Sequence, residues 1–248
     1  MQAHTELLYM QDMFALTSNS KIVGISQDNE RTTLILDRTV FYPQGGGQPF
    51  DQGTIENDKG LFQVREVRFI DGLVKHIGQF ERGSFTSGDI VHCHVDGNRR
   101  FLNSRLHSAG HLIDLAIQKL ALGWVPSKGY HFPDGPYVEY RDALSPENMD
   151  QVKSQIEQAC RELVGLNPKT TIQFMTKAEM EQVCQFVPDN IPADKPARIV
   201  MFGDKATPCG GTHVASLADL GSIQIRKLKT KGNIVRVSYE LTNNESSA

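Results

Sequence analysis

The hydrophobic pattern of this chain changes its period once, near Asn98. Before that point, short β-branched or alternating runs are separated by Gly, Asp and Asn, which predicts a small antiparallel sheet or barrel. The runs are KIVGIS, TTLILD, LFQVREVRFI, LVKHIG and DIVHCHV. From Asn98 to about Gly123 the apolar residues recur at helical spacing. We therefore predict an α+β protein, with a β-rich domain over residues 1–97 and an α+β domain over residues 98–248.

Helices and strands alternate in the second half. YHFPDGPYVEYRD predicts a hairpin around Asp134 and Gly135. Ser145 and Pro146 predict the start of a helix that reaches about Leu163, and Thr176 with Glu179 forms a capping box. Four further segments predict strands that supply an antiparallel sheet: TTIQFM, ARIVMF, SIQIRKL and NIVRVSYEL.

Composition narrows the functional classes. The chain has 248 residues, 39% of them hydrophobic, and no run approaches the roughly 20 apolar residues of a membrane span. Its first residues lack a basic leader, so we expect a cytoplasmic protein. A net charge of -3 means that any contact with nucleic acid must be local. The four cysteines lie far apart, which favours free thiols or a metal ligand over a disulfide framework.

The stretch HSAGH places His107 and His111 four residues apart in the predicted helix. It is not the protease motif H-E-x-x-H, because Ser108 stands where that motif has its glutamate. Residues at i and i+4 share one helix face, so both imidazoles can point at one metal ion. The alternative is a capped or solvated pair without a ligand.

A second cluster, PCGGTHV, offers the thiolate of Cys209 and the imidazole of His213. Together with His107 and His111 these groups make a zinc-type ligand set. The two pairs are too far apart for a zinc finger, so the fold must bring them together. Gly210 and Gly211 permit positive φ and let backbone amides approach a ligand. The alternative here is a tight turn with a buried, inert cysteine.

A third motif, FYPQGGGQPFDQG, contains three consecutive glycines between two prolines. It lacks the lysine and hydroxyl residue of a P-loop and does not fit G-x-G-x-x-G, so phosphate binding is unsupported. The pattern predicts only that the backbone closely approaches either a ligand or a neighbouring strand.

In this order the motifs resemble the freestanding alanyl-tRNA editing proteins of the AlaX family, in their longer two-domain type, and the editing domain of alanyl-tRNA synthetases. The resemblance rests on LDRTVFYPQGGGQPFDQG, VDGNRRFLNSRLHSAGHLI, PCGGTHV and the terminal IVRVSYEL. Threonyl-tRNA synthetase editing domains are similar only in the H-x-x-x-H and C-x-x-x-H parts. The Gly-rich loop therefore points to the alanyl branch.

The resemblance implies an aminoacyl-tRNA hydrolase that acts in trans on mischarged tRNA(Ala), chiefly removing serine and also glycine. It implies a Zn²⁺ site on His107, His111, Cys209 and His213, in an editing domain with a metal-bearing helix. The expected catalytic residues are Thr39, Gln48, His107 and Cys209. Thr39 would face the serine hydroxyl, with Gln48 as a second wall of the pocket.

The role of the metal stays open at this point. It could polarise the ester carbonyl, lower the pKa of a water, or anchor the α-amino group. Four protein ligands would close a tetrahedral site and imply a structural or expandable role, whereas three would leave a position for water, and His213 would be the first ligand to drop. No carboxylate is placed as a general base, so a terminal ribose hydroxyl of the tRNA could assist.

Basic residues supply the predicted tRNA contacts, although such runs are often only solvated surface. The residues are Arg99, Arg100, Arg226, Lys229 and Lys231. No membrane and no obligate protein partner is expected. Two other functions fit the motifs: a zinc-dependent hydrolase of a small ester or amide, and a non-catalytic tRNA-binding protein with a structural zinc.

Overall fold

The computed structural model describes residues 4–28, 31–143 and 148–242. The chain divides into two compact units, one of Met1–Gly45 with Pro49–Leu102 and one of Gly46–Gln48 with Asn103–Ala248. The sequence places a single boundary between 97 and 98, whereas the second unit also takes three residues of the Gly-rich loop. In the described ranges, no helix has the length and apolar character needed to cross a membrane.

The first unit is built on a closed barrel of six strands in the order β2-β3-β7-β6-β5-β8. A short parallel pair, β1 with β4, accompanies it. The strands are β1 (Glu6–Leu7), β2 (Thr17–Asp28), β3 (Arg31–Leu36), β4 (Arg38–Thr39), β5 (Gly53–Asn57), β6 (Gly60–Ile70), β7 (Leu73–Gly83) and β8 (Ile90–Val95). This architecture confirms the predicted antiparallel barrel.

Alternation along the strands fills this barrel. In β8, Val91, Cys93 and Val95 are buried while the residues between them are exposed, as a period of two requires when one face meets a core. Phe41 and Phe62 complete the apolar interior. Burial raises the pKa of Cys93 to about 11, so this thiol stays protonated and packs as an apolar group.

The second unit combines two antiparallel sheets with helices, which confirms the α+β class. One sheet has the order β14-β15-β10-β9 and the other β11-β12-β13. The elements are α1 (Gly97–Lys119, of which residues from 103 belong to this unit), β9 (Val125–Tyr130), β10 (Tyr137–Arg141), α2 (Met149–Gly165), β11 (Thr170–Met175), α3 (Lys177–Val183), β12 (Ala197–Phe202), β13 (Lys205–Pro208), β14 (Ser222–Lys231) and β15 (Ile234–Thr242).

Helix α1 carries the apolar stripe that its sequence predicts. Its side chains at Leu106, Leu112 and Ile113 pack in one cluster with the inner faces of the sheets and with α2. The helix ends at Lys119, before the predicted Gly123, because Ala121 adopts a positive φ of 51° and the chain turns there.

The capping box of Thr176 and Glu179 is present at the start of α3. The predicted start of α2 at Ser145 and Pro146 lies outside the described residues. The observed helix begins at Met149, and the Asn148 side chain accepts from the backbone N–H of Gln151.

Candidate metal centre and surrounding residues

The four predicted metal ligands converge in the second unit. His107 and His111 lie one turn apart on α1, with ring centroids 5.0 Å apart. Cys209 and His213 lie on the loop that follows β13. The ligand atoms of all four residues are within 4.8 Å of one another. His213, which the sequence made the least certain ligand, is part of the group.

The spacing of this quartet fits a tetrahedral ion. The Cys209 Sγ lies 3.5 Å from His107 Nε2 and 3.6 Å from His213 Nε2. Zinc bonds of about 2.3 Å to sulfur and about 2.05 Å to nitrogen at a tetrahedral angle place S and N about 3.6 Å apart. The Nε2 atom of His111 is buried and has no hydrogen-bond partner in the part of the chain that the structure describes, as expected of an atom that could bind a metal.

Electrostatics prepare the thiol for this role. Burial alone would raise the pKa of Cys209, but the neighbouring His107 and His213 hold it well below its usual range. Burial opposes a charge on His111 too, yet Asp114 and Cys209 raise the pKa of His111 to about 10. Burial lowers the pKa of His213 to about 3. The thiolate is the form of Cys209 that binds a soft divalent ion, whereas His111 would have to release its proton to become a ligand.

Backbone contacts hold the Cys209 loop against its neighbours. Arg198 of β12 is buried and donates to the carbonyl oxygens of Cys209 and Gly211, at 3.2 and 2.6 Å. Gly210 and Gly211 do not adopt the positive φ that the sequence suggested. Gly211 is required for space instead, because a Cβ atom there would lie 2.2 Å from Cε1 of His107.

Ser108, the residue that distinguishes this helix from a zinc protease, is fully buried. Its hydroxyl accepts from the backbone N–H of Val214 at 3.1 Å. Ser108 therefore links α1 to Val214, the residue after His213. This position holds a structural contact where a zinc protease has its general base.

Gln48 belongs to the second unit and holds His107 in place. Its Oε1 lies 2.7 Å from Nδ1 of His107 and accepts from the N–H of Thr212 at 3.0 Å, while its Nε2 donates to the Thr212 hydroxyl. Nδ1 of His107 therefore carries the proton, and Nε2 is free for the metal. In the structure Gln48 orients the His107 ring, and its expected place as a second wall of the substrate pocket stays a prediction.

His131 was not predicted from the sequence, since a lone histidine after a strand has no diagnostic spacing. Its ring stacks on His107 with centroids 4.7 Å apart, and its Nδ1 lies 2.7 Å from the Tyr239 hydroxyl. Burial and the adjacent His107 lower the pKa of His131 well below its usual range, so it is a neutral imidazole.

Thr39 belongs to the first unit and is fully buried. His76 Nδ1 faces the carbonyl oxygen of Leu34 at 3.2 Å, so Nδ1 carries the proton and Nε2 accepts from the Thr39 hydroxyl at 2.8 Å. Thr39 Oγ1 also accepts from the N–H of Phe41. Its proton is therefore used, and a lone pair remains that can accept one further hydrogen bond.

The prediction that Arg100 contacts tRNA is wrong for this structure. Arg100 is 3% exposed, its Nε lies 2.9 Å from Asp51 Oδ2, and it also donates to the carbonyl oxygens of Met13 and Val40. This buried ion pair leaves no exposed cation. Arg99 is half-buried, and it donates to the Phe50 carbonyl while its guanidinium lies over the Phe50 ring.

The remaining predicted contacts lie on β14, where Arg226, Lys229 and Lys231 are exposed. Lys227, Lys229 and Lys231 are exposed on one face of β14, and Leu228 is buried on the other. The three lysines pair with Ser238, Arg236 and Ile234 of β15. Across the sheet, Arg236 lies 4.0 Å from the Tyr137 ring centroid, and Tyr137 stacks on Tyr130. Lys128 of β9 and Arg236 of β15 flank Glu139 of β10, and Arg236 donates to the Glu139 carboxylate at 2.8 Å. We call Lys128, Lys227, Lys229, Lys231 and Arg236 the basic face.

Comparison with known proteins gives a consistent relationship. A family model described as tRNA synthetases class II (A) matches residues 1–99, and one described as threonyl and alanyl tRNA synthetase second additional domain matches residues 197–237. The alanyl-tRNA editing protein AlaX-L of Pyrococcus horikoshii is 27% identical over 237 residues, covering 94% of this chain and 57% of that protein.

Alanine–tRNA ligases match as well. The ligase of Methanobrevibacter smithii is 31% identical over 246 residues, which cover 95% of this chain and 27% of the ligase. That of Methanosarcina acetivorans is 32% identical over 214 residues, covering 83% and 23%. The chain thus spans little more than half of AlaX-L and about a quarter of each ligase.

Proposed function

This chain is a relative of the AlaX-type alanyl-tRNA editing proteins and of the alanine–tRNA ligases, and from that relationship we propose that it is a trans-acting hydrolase of mischarged tRNA(Ala). The substrate is the ester that joins serine, or secondarily glycine, to the terminal ribose. The observation that carries the proposal is the convergence of His107, His111, Cys209 and His213 on one point.

The metal proposed for this point is Zn²⁺, because thiolate and imidazole donors at tetrahedral spacing suit it. Four protein ligands would fill a tetrahedral site, so zinc held here would supply Lewis acidity to the ester only by expanding its coordination beyond four. The chain supplies the rest: Gln48 fixes the direction of His107, and Arg198 fixes the loop that carries Cys209. Gln48, His107 and Arg198 are buried, and Cys209 is partly exposed.

Deacylation assays test the proposal. The zinc-loaded chain is incubated with seryl-, glycyl- and alanyl-tRNA(Ala). Separate reactions contain small esters, which are the substrates of the alternative hydrolase function. We expect release of serine much faster than of alanine, and loss of release in Cys209→Ala. Cys184→Ala is the matched control, because Cys184 packs in a separate apolar cluster. Equal cleavage of alanyl-tRNA(Ala) would contradict a proofreading role, and cleavage of small esters alone would favour a general zinc hydrolase.

Thr39 remains the residue proposed to distinguish serine from alanine. Its free lone pair can accept from a serine hydroxyl, and alanine has no group to fill that position. Thr39→Val should lower the ratio of seryl to alanyl release while zinc content is unchanged. An unaltered ratio would remove Thr39 from the specificity site.

The basic face is proposed as a tRNA contact, since it concentrates cations in a chain whose net charge is -3. Each phosphate contact contributes to the salt dependence of binding. The double variant Lys229→Ala/Lys231→Ala should weaken tRNA binding and reduce the slope of log Kd against log salt by about 1 to 2. Lys169→Ala, an exposed lysine outside this sheet, should leave both unchanged. Equal slopes for both variants would show that the face is only solvated.

A further inference from the structure

The hydrogen bonds of His131 fix which of its nitrogens carries the proton. His131 is 5% exposed, and its Nδ1 lies 2.7 Å from the Tyr239 hydroxyl oxygen. That hydroxyl donates to the carbonyl oxygen of Leu106 at 2.8 Å. Because Tyr239 has used its only proton, it accepts from Nδ1–H of His131. The Nε2 atom of His131 therefore carries a lone pair.

Within the ranges that the structure describes, this lone pair has no donor. Among the described residues, no hydrogen bond reaches His131 Nε2, whereas Nδ1 and the backbone N–H are both paired. Unlike Nε2 of His111, Nε2 of His131 is not one of the fully buried side-chain atoms that lack a partner in the described ranges. A donor from outside the chain can therefore reach this lone pair and pair with it.

The ring occupies a slot that three glycines leave open. A Cβ atom at Gly110 would lie 2.4 Å from its Cε1, one at Gly129 would lie 2.5 Å from its Nε2, and one at Gly47 would lie 3.2 Å from its Cδ2. The backbone N–H of His131 donates to the Gly47 carbonyl at 2.8 Å. On its open side the ring stacks on His107. The chain thus holds an oriented imidazole directly beside the candidate metal centre.

We propose that His131 binds the aminoacyl end of the substrate by accepting, at Nε2, a hydrogen bond from its α-ammonium group or from the ribose hydroxyl next to the ester. The proposal rests on the proposed function for the identity of the substrate. It makes His131 a substrate-binding residue with no role as a metal ligand, because it does not belong to the converging quartet.

Two substitutions separate the nitrogens of this ring. The amide of Gln can reach the place of Nε2, while the shorter Asn can reach only the place of Nδ1, next to Tyr239. We expect His131→Asn to lower kcat/KM for seryl-tRNA(Ala) about 10- to 100-fold, and His131→Gln to lower it less than about 5-fold. Zinc content should stay the same in both. His131→Phe, which keeps the ring volume, should behave like His131→Asn even if Asn leaves a void.

Binding supplies a second readout that does not depend on turnover. The probe is an adenosine that carries serine on a 3′-amide, which is not hydrolysed, and we expect its Kd to rise about 10- to 100-fold in His131→Asn. Two further probes lack either the α-amino group or the adjacent ribose hydroxyl. The probe that binds wild type and His131→Asn equally identifies the donor.

The outcomes are distinct from those of the proposed function. If His131→Asn binds every probe as tightly as wild type, or loses zinc, the acceptor role of His131 is wrong. It is also wrong if both truncated probes still discriminate between the two proteins. If wild type releases no serine from tRNA while the probe still distinguishes the variants, the proposed hydrolysis fails and the acceptor role stands.

Discussion

Replacing Gln48 by Ala should weaken zinc binding without removing any ligand. Gln48 Oε1 receives two hydrogen bonds, from Nδ1–H of His107 and from the N–H of Thr212. Losing the acceptor leaves both donors buried without a partner and lets His107 adopt its other tautomer. Removing such an outer partner of a metal ligand typically costs 10- to 100-fold in affinity, or about 1.4 to 2.7 kcal/mol.

Gln48→Glu is the matched control for this loss. A carboxylate keeps an acceptor in the same place and can receive both N–H groups, so zinc affinity should stay within about threefold of wild type. The measurement is competition for zinc against a chromophoric chelator at pH 7.5. Wild-type affinity in Gln48→Ala, with an unchanged melting temperature, would show that packing alone orients His107 and would refute the reasoning.

Three further predictions follow from other contacts. Burial lowers the pKa of His76 to about 4. Between about pH 6.5 and 4 the unfolded chain therefore binds a proton at His76 that the folded chain does not. As the pH falls through that window, wild type should lose up to about 3 kcal/mol of unfolding free energy. His76→Gln should lose correspondingly less in urea denaturation across the same pH range, and parallel curves would contradict this. Chelation should lower the melting temperature of wild type and of Cys184→Ala but not of Cys209→Ala, because only a protein that holds the metal is stabilised by it; calorimetry with and without chelator decides. Arg100→Met should reduce the unfolding free energy by about 3 to 5 kcal/mol because Asp51 would be left buried and unpaired, and a loss below about 1 kcal/mol would show that the pair is dispensable.

The candidate metal quartet could be predicted because its residue types and short spacings suit a metal. His-x-x-x-His on a helix and Cys-x-x-x-His in a glycine loop each restrict the possible ligands, even though 102 residues separate His107 from Cys209. The change of hydrophobic period likewise located the barrel strands and α1, because burial on one face imposes a period of two or of 3.6.

Partners that depend on tertiary packing could not be predicted. Arg100 has the sequence appearance of a surface cation, and nothing local reveals that Asp51 neutralises it. Gln48 was named only through the family resemblance and His131 was not named, because the contacts of each depend on which residues the fold places next to it. The hairpin predicted around Asp134 and Gly135 is confirmed, because β9 pairs with β10 across that turn. The sequence did not show that β9 begins as early as Val125, because Pro126 and Gly129 are poor strand formers, which are tolerated in β9 because it lies at the edge of its sheet.

The assignment of Gly46–Gln48 to the second unit has a consequence for dissecting the chain. A fragment cut at the start of α1 would contain all four cysteine and histidine ligands but not the amide that orients His107. Such a fragment could keep its apolar interior and still hold its ion poorly, unless the missing acceptor were restored by a grafted side chain or a short peptide added in solution. Any shorter protein built on this second unit alone would have to provide that acceptor from within its own sequence.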